Sequence, residues 1–161
     1  MPDDGPVPAA DGRRTIVRHA AESSFDPGLR PFFTYRDLGI RGATAGGYGA
    51  HVVRAVPGQH AEPLWHTHTL DFQMVFVLKG WVRFEYADIG TVLLQPGDSV
   101  YQPPGIRHRE LEHSDDMELI EITSPAEFES GSVPVASLRN STPKPRWTAS
   151  RAVVSQHMWV M

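Results

Sequence analysis

Between Ala50 and Thr123 the chain is a run of short β-prone segments with a turn signal at nearly every junction. "YGAHVVRAVPG" closes on Pro57-Gly58, "FQMVFVLKG" on Gly80, "TVLL" on Pro96-Gly97-Asp98, and "SVYQ" on Pro103-Pro104-Gly105. "WHTH" reads as a further short strand, and the polar turn "HSDD" separates "RHRELE" from "MELIEIT". Such spacing predicts at least six strands and an all-β sandwich or barrel. In "WVRFEY" the residues Val82, Phe84 and Tyr86 share one face. "FQMVFVLKG" is almost continuously apolar, as expected of a strand packed on both faces. No helical period is sustained here, and 14 Gly with 14 Pro suit tight turns.

Outside this stretch, "TIVRHA" and "PFFTYRDL" read as two more short strands. Residues 1–12 read as a disordered lead-in, 13–125 as the β-domain, and 126–161 as a largely loop-like extension. The apolar end "AVVSQHMWVM" suits docking on the barrel or on a second subunit. There is no internal repeat and no second domain.

Several functions are excluded early. With no cysteine, there are no disulfides, thiolate ligands, iron–sulfur clusters or cysteine nucleophiles. The formal charge is −4, with 15 basic and 19 acidic residues and no Lys/Arg run, so a nucleic-acid partner is not expected. No apolar run approaches membrane-spanning length. The N-terminus lacks the layout of a secretory signal, which predicts a cytoplasmic protein.

The chemistry concentrates in "HTHTLDFQ". Residues i and i+2 of a strand point the same way, so His66 and His68 can reach one point. Two surface histidines are the plain alternative for such a pair. A third, His108, opens the strand after Pro103–Gly105. Three imidazoles from different strands would fill three corners of a coordination sphere suited to Zn, Fe, Cu or Ni, at about 2.0–2.2 Å.

These segments resemble the two motifs of the cupin family. The first runs His-x-His, three or four residues, Glu, six residues, Gly; here it gives His66, His68, Gln73 and Gly80. The second runs Gly, five residues, Pro-x-Gly, two residues, His; here it gives Gly97, Pro103, Gly105 and His108. Gly58 lies two residues farther from His66 than the family pattern has it. The resemblance implies a single-domain jelly-roll β-barrel, with His66, His68 and His108 lining its interior and binding one divalent metal ion, whether Fe, Mn, Ni, Zn or Cu. It also implies pairing as a homodimer.

Gln73 stands where the family's usual fourth ligand is glutamate. It has the reach of that ligand without the charge. Three readings stay open. Gln73 binds the metal weakly or holds a metal-bound water; the three histidines bind it alone; or the site is degenerate and the barrel binds a ligand without chemistry. A neutral ligand set would keep the ion's full charge and favour an anionic or chelating substrate at open positions.

Trp65, Phe84, Tyr101 and Gln102 are candidate pocket walls, with core packing as the alternative for the aromatic ones. Asp71 either stands in for the missing acid or is solvated. His60 and His51 read as pocket acids or bases, or as surface histidines. Arg83 reads as a solvated charge before a substrate clamp. Glu110 and Glu112 share the parity of His108 and read as partners of that ligand or as solvated.

The leading expectation is a metal-dependent, dioxygenase-like enzyme acting on a small oxygen-bearing molecule. The alternatives are an isomerase or lyase, a metal-free sugar epimerase, or a non-catalytic small-molecule binder. A storage role would call for two barrels, and a regulator for a DNA-binding helix pair.

Overall fold

The computed structural model describes residues 13–132, apart from 14, 29 and 61. Among the described residues, eleven strands form two antiparallel sheets: β1 (Asp26–Pro27), β2 (Phe33–Asp37), β3 (Gly49–Ala55), β4 (His66–Thr69), β5 (Phe72–Lys79), β6 (Val82–Tyr86), β7 (Gly90–Leu94), β8 (Ser99–Gln102), β9 (His108–His113), β10 (Glu118–Ser124) and β11 (Glu129–Ser132). One sheet runs β1-β2-β3-β10-β5-β8 and the other β11-β4-β9-β6-β7. Neighbours in each sheet are mostly distant in sequence, as the jelly roll demands. The helical content of the described residues is a four-residue α1 (Ile40–Ala43) and a 3-10 turn at Ala20–Glu22. No helix among the described residues is long and apolar enough to cross a membrane.

Three local expectations change. "TIVRHA" forms no strand; Ile16 and Arg18 lie against Gly39, and the partner of β2 on that edge is β1. β5 is buried on one face only: Gln73, Val75 and Val77 are buried, whereas Phe72, Met74 and Phe76 are half-buried on the other side. Its outer face has no sheet to pack against, so its apolar run is not a two-sided core strand. The segment after Pro125 is not wholly loop, since β11 adds to the free edge of β4 from Glu129↔Thr69 to Ser132↔His66. Its Glu, Ser and Gly residues carry weak strand propensity, and it is the partner edge that orders them. Residues 1–12 and the terminal "AVVSQHMWVM" lie outside the described residues.

Strand register sorts the barrel interior into layers. Leu119 pairs with Val53 on one side and Val77 on the other; Glu121 with His51 and Val75; Thr123 with Gly49 and Gln73. These residues share inward parity, so the lining changes from apolar, through mixed, to polar along the barrel. The apolar end holds the core: Val77, Val82 and Met117 have no exposed surface, packed with Val53, Val75, Phe84, Leu94 and Leu119. The polar end is left for chemistry.

Gly80 closes the β5–β6 turn with φ +64, and a Cβ there would come within 2.2 Å of Ser114 Oγ and 2.9 Å of Met117 Cα. Gly58 has φ +75 but open space around it. Gly80→Ala should therefore cost more than Gly58→Ala. We expect about 1 kcal/mol for the conformation alone at Gly58 and about 2–4 kcal/mol at Gly80, where the clash is added. Urea unfolding of the two variants measures the difference, and equal losses would refute the steric part.

Candidate metal centre

β4 meets β9 at one residue pair, His66↔His108. His68, two residues along β4, takes the same face. The three rings converge: centroids lie 4.4 Å apart for His66 and His108, and 5.0 Å apart for His68 with either of them. One ligand atom from each lies within 4.8 Å of the other two. Among the described residues this is the one group of His, Asp or Glu side chains gathered closely enough to hold an ion.

The outward nitrogen of each ring is already engaged. His66 Nδ1 donates to the Leu64 carbonyl at 2.9 Å, and His108 Nδ1 to the Ile106 carbonyl at 3.0 Å. A carbonyl can only accept, so Nδ1 carries the proton in both, and each Nε2 keeps a free lone pair. His68 Nδ1 shares a 2.9 Å hydrogen bond with Ser130 Oγ of β11. Tyr86 stacks on His108 at 5.7 Å, and Phe128 meets His68 edge-on at 5.1 Å. The rings are thus oriented before any ion arrives.

Their electrostatics match. Desolvation lowers the pKa of all three; it takes His68 to about 3, helped by the neighbouring His108 and His66 and by Arg30, and His108 to about 4. At neutral pH the triad is uncharged, the form in which imidazole binds metals. Three neutral, preoriented nitrogen donors fit a divalent ion of the imidazole-binding kind.

The triad opens into a cavity of about 400 Å³, a volume suited to a small organic molecule. Gln73, Phe84 and Gln102 line it, together with the three histidines. Trp65 and Tyr101 are not among its walls: Trp65 lies beneath the Arg109 guanidinium at 4.8 Å, and Tyr101 is 53% exposed beside Phe72. Adjacent residues of a strand face opposite ways, so an inward Gln102 turns Tyr101 outward. Asp71 is exposed. His51 lines the cavity, whereas His60 is exposed against His113. Arg83 pairs with Glu112. Glu110 lines the cavity and bonds His113 Nδ1 at 2.5 Å.

Gln73 has a committed partner: its Nε2 donates to Glu121 Oε1 at 2.7 Å. One of its two amide hydrogens is thus committed to β10, and its carbonyl oxygen remains an acceptor. Glu121 was not singled out from the sequence, although "MELIEIT" contains the signal, because Leu119, Glu121 and Thr123 alternate on one face. Tyr35, Phe128 and Arg30 also line the cavity, and nothing in their local sequence marks them. Ser130 lies in the segment read as loop.

The family model described as "Cupin domain" matches residues 51–123. Among solved structures, the chain is similar to the polyketide cyclase RemF from Streptomyces resistomycificus, with TM-score 0.61 and 19% identity over 76% of this chain and 87% of that one. It is also similar to KdgF from Halomonas sp., with TM-score 0.54 and 20% identity over 66% and 92%. For the iron(II) form of HppE the values are 0.55 and 20% over 75% and 62%. At these identities the likeness is one of fold. No curated protein sequence matches the chain.

Glu121 supplies a test of how closed this interior is. Burial pushes its carboxyl pKa above the ordinary 4.5, only partly offset by the Gln73 hydrogen bond and by His51. Below that ordinary value the folded and unfolded chains are both protonated. Above it the unfolded chain ionises first, so Glu121 costs stability as pH rises towards its folded pKa. Glu121→Gln keeps the shape and the Gln73 bond. Its stability relative to wild type should therefore increase as pH rises above the ordinary carboxyl value of 4.5. Denaturant unfolding across that range checks this, and a constant difference would contradict it.

Proposed function

We propose that this chain, whose residues 51–123 are a cupin domain, holds one divalent metal ion on His66, His68 and His108 and acts there, dioxygenase-like, on a small oxygen-bearing molecule. The observation that carries the reading is the convergence of the three rings: outward Nδ1 hydrogen bonds leave the Nε2 lone pairs of His66 and His108 free, and one ligand atom from each ring lies within 4.8 Å of the other two. HppE, of the same fold, is known in an iron(II) form, and three histidines with open positions suit Fe(II). Bound there, such an ion would supply Lewis acidity and a place where substrate and dioxygen can meet.

The protein's own residues do the remaining work. Phe84 and Phe128 supply apolar wall to the chamber. Gln73, tethered by Glu121, presents a fixed carbonyl oxygen to a substrate hydroxyl or a bound water. No carboxylate joins the ligand set, so the ion keeps its charge for an anionic or chelating substrate. The chain works in the cytoplasm as a homodimer in this reading.

Metal analysis beside variants tests the site. Wild-type protein should retain about one equivalent of Fe(II), Zn(II) or Mn(II) after dialysis. His66→Ala, His68→Ala and His108→Ala should each weaken binding by roughly a hundredfold or more, since loss of even an outer hydrogen-bond partner costs 10–100-fold. Equal metal content in wild type and variants would overturn the site. Oxygen uptake by the Fe(II) form on a panel of diketones and thiols tests the reaction class. Tight metal binding with no turnover under any condition would favour the non-catalytic binding cupin instead.

A further inference from the structure

One cation in the cavity has no assigned use. Arg30 sits in the turn ahead of β2, where its carbonyl accepts from the Phe33 amide at 3.1 Å. It is half-buried and lines the same chamber as the triad. Among the described residues its guanidinium has no hydrogen bond, ion pair or aromatic face. Other arginines are paired: Arg54 with Glu118 at 2.8 Å, Arg41 with Glu127, Arg83 with Glu112, and Arg109 with Glu85 at 2.5 Å. A partly desolvated cation without a counterion is costly, and a bound anion would relieve that cost.

Two of the three acids lining the chamber have partners in the protein. The Glu110 carboxylate faces His113, and the Glu121 carboxyl is hydrogen-bonded to Gln73. Glu62 also lines the cavity, but it is exposed and makes no ion pair with Arg30. The remaining wall includes Phe32, Phe33, Val53, Val75 and Leu119. The chamber thus offers one fixed positive group, apolar sides and the imidazole triad.

We propose that Arg30 is the oxyanion-recognition residue of this cavity, pairing with the carboxylate or phosphate of a substrate whose body is mainly apolar. The inference rests on the reading of the cavity as a substrate chamber and names the class of substrate. A planar guanidinium can grip either oxyanion with two parallel hydrogen bonds, which fixes orientation as well as charge. The substrate's reacting end would then lie toward the triad.

The test is calorimetric binding of phenylacetate, phenyl phosphate and the neutral phenylacetamide to the full chain, in metal-free and zinc-loaded forms. Both forms of the wild type should bind at least one of the anions about tenfold or more tighter than the amide. Comparing the two anions separates a carboxylate site from a phosphate site. Arg30→Gln should lose that preference in both forms, while binding the amide as wild type does and retaining the same zinc. Arg30→Lys should keep part of it, which guards against a misfolded Gln variant, and thermal unfolding checks both. Undiminished anion binding by Arg30→Gln, or no anion preference in the wild type, overturns the proposal. If zinc fails to bind yet the Arg30-dependent preference remains in the metal-free chain, the metal reading fails and this one stands. If zinc binds but the anions ignore Arg30, the reverse holds.

Discussion

The site depends on a single β-ladder contact. β4 touches β9 only at His66↔His108, yet that pair sets two of the three rings side by side and brings His68 in by parity. So short a ladder contributes little cohesion of its own. β4 is held from its other edge by β11, four residues long, and Ser130 of β11 also bonds His68. The strand that carries two of the three histidines is therefore clamped by a segment C-terminal to the two sequence motifs. Backbone carbonyls two residues before His66 and His108 then fix their ring tautomers. Orientation of two of the three rings is thus built from main-chain geometry, whereas His68 relies on the Ser130 side chain.

Register explains how one barrel can be both a stable core and a reactive chamber. The inward residues of β3, β10 and β5 change character layer by layer, from Val53, Leu119 and Val77 to Gly49, Thr123 and Gln73. Apolar burial at one end provides the cohesion, at about 25 cal/mol per Å² of surface removed from water. The polar end can then carry groups that cost stability, such as neutral histidines and a carboxyl pushed toward its protonated form. Gly49 belongs to this division too: a Cβ there would approach Thr123 Oγ1 to 2.8 Å, so β3 and β10 pack closely at that point.

The parts legible in the sequence were those with local periodicity or fixed spacing. Turn residues marked most strands from Ala50 to Thr123, and the alternation in "WVRFEY" placed Val82, Phe84 and Tyr86 inside, as found. The spacing of His66, His68 and His108 brought the same three residues together as the structure does. What stayed hidden depends on partners distant in the chain. β11 has no pattern of its own and exists because β4 has an open edge. Arg30 reaches the cavity from a turn whose position follows from β2 pairing with β3. The Gln73–Glu121 contact joins residues 48 apart, placed by the β5–β10 register.

That contact sets an acid beside position 73. Glu121 stands on the neighbouring strand, across the β5–β10 ladder from Val75, and reaches diagonally to the Gln73 amide. An acid on β5 itself would be a charged ligand candidate and would need the ion, or another cation, to offset its burial. On β10 the same group is kept toward its neutral form by desolvation and serves to hold Gln73. Among the residues lining the chamber, Arg30 supplies the guanidinium, and the Glu110 carboxylate is turned to His113.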